Sequence, residues 1–204
     1  RYLDLLRDFM VTIDKQVASS SYDGYWRIGS SNAFGYADQY QILGKTTASR
    51  SNIFACWNSV IIPVGAIITT AYVQWRFHSY SGSPPECTLY FNDANPAVVP
   101  SSYTDAEALV KTTANVKYTP PTKGDWLTSP ELKTIIQELV DSYDYSSGSS
   151  MELLGIGTTY DGTSDYTAFR TYNYATGDAP KLHIEYSLPS LLSKRRSFNS
   201  LLVR

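Results

Sequence analysis

The sequence predicts an all-β fold: an antiparallel, jelly-roll-like β-sandwich of roughly nine or ten strands with one amphipathic helix and extended terminal arms. Three observations predict it. Short runs rich in Val, Ile, Thr and Tyr alternate apolar and polar side chains, which is the period of a strand with one buried face. Turn residues separate these runs at near-regular spacing. Of the 204 residues, 17 are Tyr and only 18% are charged, which favours a folded chain rich in strands.

Composition divides the chain into three parts. Residues 1–17 are predicted to form an N-terminal arm or short helix, residues 18–187 the β-sandwich domain, and residues 188–204 a basic, apolar C-terminal tail. The central part carries 16 acidic and 10 basic residues, whereas the tail carries 4 basic and no acidic residues. The net charge is −2, so no overall field favours nucleic acid, and no apolar run is long enough to span a membrane. A first residue other than Met suggests a processed or truncated product.

The N-terminal arm is compatible with two structures. Apolar residues at spacings of three and four predict a short helix with an assembly seam formed by Leu3, Leu6, Met10 and Ile13. Residues 11–17 also alternate as a first strand would. Both interpretations stay open on sequence alone.

The best strand signal follows a Pro63-x-Gly65 turn. Over residues 67–78, apolar side chains such as Val73 and Trp75 alternate with polar ones such as Gln74 and Arg76. This alternation predicts a long strand of an antiparallel sheet with one face on the core.

A helix is predicted over about residues 129–142. Thr128 or Ser129 would cap it, Pro130 would occupy the first turn, and Glu131 would face the positive end of the helix dipole. Its apolar stripe follows helical spacing and predicts a cover for sheet surface, and it comprises Leu132, Ile135, Ile136, Leu139, Val140 and Tyr143.

Four segments resemble a known family. They are "RSNIFACW", "PVGAIITTAYVQW", "DWLTSPELKTIIQELVDSYDYSSG" and "APKLHIEY", within residues 20–187. Together they resemble the disaggregatase-related (DNRLRE-type) jelly-roll modules and related carbohydrate-binding-like β-sandwiches. The resemblance implies a non-catalytic surface, adhesive or glycan-binding role in secreted proteins and in phage or virus structural proteins. The chain departs from the family after the helix, where Tyr145 and Ser149 replace the Trp and Asn of Trp-x-x-Gly-Asn.

Catalytic chemistry is weakly indicated. The two histidines, His78 and His183, lie in the middle of predicted strands, and no Gly-x-Ser-x-Gly motif is present. We therefore expect no enzyme. A polysaccharide-cleaving carboxylate pair stays an alternative because such a pair is spatial, and it would come from Glu86, Asp93, Glu152 and Glu185.

No cofactor is predicted, although calcium is an open alternative. Asp161 and Asp165 could supply oxygen ligands, but their spacing is also that of ordinary Asx turns. Cys56 and Cys87 fall in apolar runs and are expected to be buried free thiols or, alternatively, a disulfide between neighbouring strands.

Two loops combine aromatic rings with hydrogen-bonding groups, as sugar binding requires. They predict a glycan site, with packing tyrosines as the alternative. The site comprises Tyr22, Asp23, Tyr25, Trp26 and Arg27 in the first loop, and Tyr160, Asp161, Asp165 and Tyr166 in the second.

The tail carries apolar side chains around a basic cluster. The apolar side chains would promote aggregation if they were exposed to solvent. The tail could bury against another copy or another protein, against an anionic membrane surface, or against its own domain, and the first is favoured. The residues concerned are Leu191, Leu192, Lys194, Arg195, Arg196, Phe198, Leu201 and Leu202.

The sequence therefore predicts a structural or adhesion protein, in a virion or on an extracellular surface, that assembles through its arms. Within a virion it would be a capsid-decorating or tail component. A carbohydrate-binding module is the alternative, with polysaccharide as the partner.

Overall fold

A computed structural model gives the structure of the protein and describes residues 10–30 and 32–188. Within these residues the chain forms twelve strands and two α-helices. The strands are β1 Met10–Gln16, β2 Asp23–Gly29, β3 Ala33–Gly35, β4 Tyr40–Lys45, β5 Ser49–Ile62, β6 Ile67–Ser81, β7 Cys87–Phe91, β8 Val116–Tyr118, β9 Trp126–Thr128, β10 Tyr145–Ile156, β11 Asp165–Arg170 and β12 Lys181–Ser187. The helices are α1 Tyr103–Ala108 and α2 Lys133–Ser142, and a short 3-10 helix spans Thr176–Asp178.

All strand pairs are antiparallel, and the strands form one curled sheet in the order β1-β12-β6-β11-β4-β5-β10-β7-β8. β9 pairs with β6, β2 pairs with β5, and β3 pairs with β2. The all-β, sandwich-like prediction is confirmed. The strand number exceeds the prediction because β3, β8 and β9 have three residues each, too few to give a periodic signal.

Curling brings two layers face to face around one core. We call β1, β12, β6 and β9 the front layer, and β2, β5, β10 and β7 the back layer. Val73, Trp75 and Ile184 of the front layer share one buried cluster with Trp57 and Leu153 of the back layer. The predicted alternation of β6 therefore sets which side chains enter the core.

A second, smaller cluster lies on the other side of the back layer. Trp26, Phe54 and Leu154 pack there against Ala106 of α1. The back layer is thus covered on both faces, whereas the outer face of the front layer has no such cover among the described residues.

Helix α2 closes the core as predicted, since Leu132, Ile135, Ile136 and Leu139 are buried in the main cluster. Its predicted start is wrong, because the helix begins at Lys133. The preceding residues continue along β6: the Ser129 N–H donates to the Val73 carbonyl at 2.8 Å, and the Leu132 N–H donates to the Ala71 carbonyl at 2.7 Å.

The predicted caps are wrong for the same reason. The Ser129 hydroxyl accepts from the Val73 N–H at 3.0 Å instead of capping the helix. Glu131 accepts from the Lys133 N–H at 3.0 Å and from the Ala71 N–H at 2.7 Å, so its carboxylate joins the helix start to β6.

The helical interpretation of the N-terminal arm is wrong for residues 10–16, which form β1 against β12. Ile13 lies opposite Ile184, and its side chain packs against the core. It therefore does not form an assembly seam. Met10 remains exposed. Leu3 and Leu6 lie outside the described residues, as do the tail residues Leu191, Leu192, Lys194, Arg195, Arg196, Phe198, Leu201 and Leu202.

Cys56 and Cys87 are both buried and free. They cannot pair because β10 lies between β5 and β7, the strands that carry them. Burial raises the pKa of the Cys87 thiol to about 12, with a smaller effect from Glu86. Neither helix in the described part of the chain is long and apolar enough to cross a membrane.

Candidate functional site: the front face

The outer surface of the front layer, which we call the front face, is lined by aromatic and polar side chains. It is set by strand alternation, because the residues between the core-facing ones point outward. The front face comprises Asp14 and Gln16 of β1, Lys181 and His183 of β12, Tyr72, Gln74 and Arg76 of β6, and Trp126 and Thr128 of β9.

One row of the front face crosses four strands. Gln16 lies opposite Lys181, Lys181 opposite Gln74, and Gln74 opposite Thr128. The Gln74 amide donates to the Thr128 hydroxyl at 3.1 Å. The row places amide, hydroxyl and ammonium groups side by side, and the Gln16 amide nitrogen already donates to the Gly177 and Ala179 carbonyls at 2.9 and 3.0 Å.

The next row contains an aromatic pair held by a carboxylate. The His183 ring stacks on Tyr72 with centroids 4.4 Å apart. Its Nδ1 lies 2.7 Å from Asp14 Oδ1, and its Nε2 lies 3.5 Å from Glu185 Oε1. The hydrogen bond with Asp14 therefore orients the imidazole, and the imidazole stacks on the Tyr72 ring.

These two rows border a shallow depression of about 280 Å³. Its walls include Asp14, Gln16, Tyr72, Gln74 and His183. The depression is open to solvent, so it suits part of a larger ligand better than an enclosed small molecule.

Trp126 lies beside the depression, where two cations hold its ring. Lys181 Nζ is 3.8 Å from the ring centroid, and Arg76 Cζ is 5.8 Å from it. Arg76 also pairs with Asp125, and its Nε lies 3.8 Å from Asp178 Oδ1. Lys181 has no carboxylate partner in the described part of the chain.

A third aromatic group extends the face toward β4 and β11. Tyr40 stacks on His78 at 5.0 Å, and Tyr174 meets the same imidazole edge-on at 5.9 Å. Arg170 lies over the Tyr174 ring at 4.1 Å and bonds Asp178 at 2.8 Å. Along β6, Tyr72 and His78 are about 20 Å apart at the usual rise per residue.

The first predicted glycan loop is wrong as an exposed site, because it forms strand β2. Trp26 is completely buried against Phe54, and its indole N–H donates to Glu107 at 2.6 Å. Asp23 is buried on the opposite side of β2 and accepts from the Tyr172 N–H at 2.9 Å. Desolvation raises the pKa of Asp23 to about 7.

The other residues of this loop are partly buried. Tyr22 and Tyr25 pack against the core. Arg27 lies over the Tyr25 ring at 4.7 Å. Burial, assisted by Asp38, raises the pKa of Tyr25 above its ordinary value. Tyr22 and Tyr25 therefore pack within the fold, as the alternative interpretation predicted, and do not form an exposed sugar-binding site.

The second predicted loop forms an ion-pair site. Lys45 Nζ lies 2.6 Å from Asp161 Oδ2 and 3.2 Å from Asp165 Oδ2. Hydrogen bonds from Lys45 and Thr163 lower the pKa of Asp161 well below its ordinary value. The lysine ammonium takes the position between the carboxylates that calcium would need, so this pair is a lysine site and not a calcium site. Tyr160 is exposed, and Tyr166 is half-buried.

Within residues 10–30 and 32–188, no three or more His, Cys, Asp and Glu side chains are grouped to hold a metal ion. Of the carboxylates considered for catalysis, Glu152 is fully buried and accepts from the Asn92 amide at 2.9 Å. Desolvation raises the pKa of Glu152 to about 8. Asp93 accepts from the Tyr143 hydroxyl at 3.1 Å.

Sequence reasoning missed the front face as a site. The alternation of β6 was visible, and its polar side carries Tyr72, Arg76 and His78 among ordinary polar residues. Their convergence with Trp126 and Lys181 depends on strand order, which local periodicity does not encode.

Comparison with family models and with curated proteins gives no match to this chain. The resemblance noted in the sequence therefore stays a prediction.

Proposed function

We propose that the chain is a non-enzymatic adhesion module that binds a carbohydrate across its front face. The observation that carries the proposal is a solvent-facing depression lined by the Tyr72 ring and by amide, ammonium and carboxylate groups, with the Trp126 ring beside it under Lys181. Aromatic rings pack against the C–H faces of sugars, and the neighbouring polar groups bond the hydroxyls.

Charge pairing supports a largely neutral ligand. Arg76 and Arg170 share Asp178, and His183 lies between Asp14 and Glu185. Arg76 and Arg170 are already paired and offer little net attraction to an ionic ligand, whereas Lys181 has no carboxylate partner in the described part of the chain and lies over the Trp126 ring. A neutral polysaccharide fits such a surface better than nucleic acid does.

We propose no catalytic activity because of where the two carboxyl groups with raised pKa values lie. Burial raises the pKa values of Asp23 and Glu152, which is the property sought in a catalytic acid. Asp23 is buried on the core side of β2 and Glu152 is buried in β10, and neither carboxyl group lies on the front face.

A glycan array tests the proposal. The wild-type chain should bind one class of neutral glycan, and Trp126→Ala should reduce the array signal about tenfold, the effect of losing about 1.4 kcal/mol of binding free energy. Tyr160→Ala is the control, since Tyr160 is exposed on a different loop. A blank array for the wild type, or equal losses in both variants, would contradict the proposal.

A second candidate function is assembly through the terminal segments, as in a virion or an extracellular surface layer. One observation favours it: Met10, the first residue of β1, lies opposite Ser187, the last residue of β12, in the register of these two strands. Both terminal segments therefore start from the same corner of the domain. Light scattering should give a multimer for the full chain, and a monomer would contradict this candidate.

A further inference from the structure

We propose that an apolar corner of the domain, formed by Met10, Val64 and Ile67, is a self-association surface that binds residues 189–204 of a second copy. The inference rests on the assembly candidate and adds the surface and its occupant. It is independent of carbohydrate binding.

The corner is exposed although its side chains are apolar. Met10, Val64 and Ile67 are 55%, 71% and 52% exposed. Met10 and Ile67 lie on either side of Ser187 in the register, about 10 Å apart across two strand spacings. Val64 is at the tip of the β5–β6 turn, where the Ala66 N–H donates to the Pro63 carbonyl at 3.1 Å. Three large apolar side chains at one edge form a patch that needs a cover.

The C-terminal segment starts beside this patch. Leu188 packs against the core directly after Ser187, so the chain enters residues 189–204 next to the corner. The segment offers apolar side chains of matching character, namely Leu191, Leu192, Phe198, Leu201, Leu202 and Val203.

The surroundings of the corner complement a basic segment. Gln137 of α2 accepts from the Ile68 N–H at 2.8 Å and donates to the Ala66 carbonyl at 3.2 Å, which joins the helix to the turn. A depression of about 400 Å³ lies beside Gln137 and Ile68. Its charged lining residues are Glu138, Asp141 and Lys133. Residues 194–196 are Lys, Arg and Arg, and the segment has no acidic residue. Attraction between these charges would direct the segment to this side.

The amount of apolar surface in residues 189–204 favours binding to the corner of a second copy over binding to the corner of the same copy. Three corner side chains offer less apolar surface than residues 189–204 carry, whichever copy the segment comes from, so the second copy differs by adding contact between the two segments. Reciprocal exchange between two copies covers both corners and brings the two segments together, which is the self-complementary arrangement of a two-fold dimer.

Full-length variants test the proposal by size-exclusion chromatography with light scattering. The wild type should be multimeric, and both V64S/I67S and L201S/L202S should be monomeric at the same protein concentration. Val110→Ser is the matched control, because Val110 is 63% exposed but lies near α1 on the back layer, and it should stay multimeric. Thermal melts confirm that each variant is folded.

The outcomes distinguish binding at the corner from assembly through the C-terminal segment at any other surface. If L201S/L202S is monomeric but V64S/I67S remains multimeric, the segment assembles at another surface and this inference is wrong. If the tail variant also remains multimeric, assembly through the C-terminal segment is wrong as well. A monomeric wild type overturns both.

Discussion

At the residue scale, exposure decides which aromatic side chains can bind a ligand. Trp26 and Asp23 belong to one turn-like stretch of sequence, yet they point to opposite faces of β2 and both are buried. The small cluster with Phe54 and Leu154 covers Trp26 because α1 lies over the back layer. Local composition could not indicate this cover, since α1 is some 80 residues further along the chain.

Trp26→Ala should therefore damage stability and not binding. Deleting a fully buried indole and its bond to Glu107 should lower the free energy of unfolding by about 3–5 kcal/mol, measured by chemical denaturation. Tyr160→Ala, at an exposed ring, should change it by less than about 0.5 kcal/mol. Similar stabilities for the two variants would contradict the burial of Trp26.

Glu152 should make stability depend on pH. Its pKa is raised from 4.5 to about 8 in the folded chain, so between these values the folded state keeps a proton that the unfolded chain loses. The free energy of unfolding therefore falls as pH rises through this window, by up to about 1.4 kcal/mol per pH unit.

Glu152→Gln is neutral at every pH and keeps an acceptor for Asn92. Its free energy of unfolding relative to the wild type should increase from pH 5 to pH 8, as measured by urea denaturation at each pH. Asp23 remains in both proteins, so its own titration cancels in the comparison. A difference that does not vary with pH would show that Glu152 is ionised in the folded chain.

At the element scale, periodicity predicted the parts that face the core. The apolar stripe of α2 and the alternation of β6 both follow directly from side-chain spacing. The start of α2 was missed because Ser129 and Leu132 pair with β6 across the fold. Such pairing overrides a local sequence that otherwise resembles a capped helix. The front face was missed because it is assembled from four strands, and the other three are all far from β6 in sequence.

Leu139→Ala should show how much the helix contributes as a cover. Leu139 is fully buried in the main core, so its truncation should cost about 2–5 kcal/mol of unfolding free energy. Thr134→Ala on the exposed side of the same helix should be within about 0.5 kcal/mol of the wild type. Equal effects at the two positions would mean that α2 does not close the core.

At the scale of the whole molecule, the two layers have different surroundings. The back layer is covered on both faces, while the front face meets solvent with Tyr72, Trp126 and their polar neighbours. The apolar corner lies at the end of the same layer, where both terminal segments begin. Binding across the face and association at the corner can therefore occur together, and several copies would present several front faces to one polysaccharide.

Isothermal titration calorimetry with the best array glycan tests the front face most directly. The wild type, Tyr72→Ala and Tyr160→Ala would be compared, because both tyrosines contact solvent but only Tyr72 borders the front-face depression. Tyr72→Ala should bind about tenfold more weakly, a loss of about 1.4 kcal/mol, and Tyr160→Ala should bind like the wild type. Wild-type affinity in Tyr72→Ala together with weakened binding in Tyr160→Ala would contradict the proposal and place the site on the loop at residues 157–164.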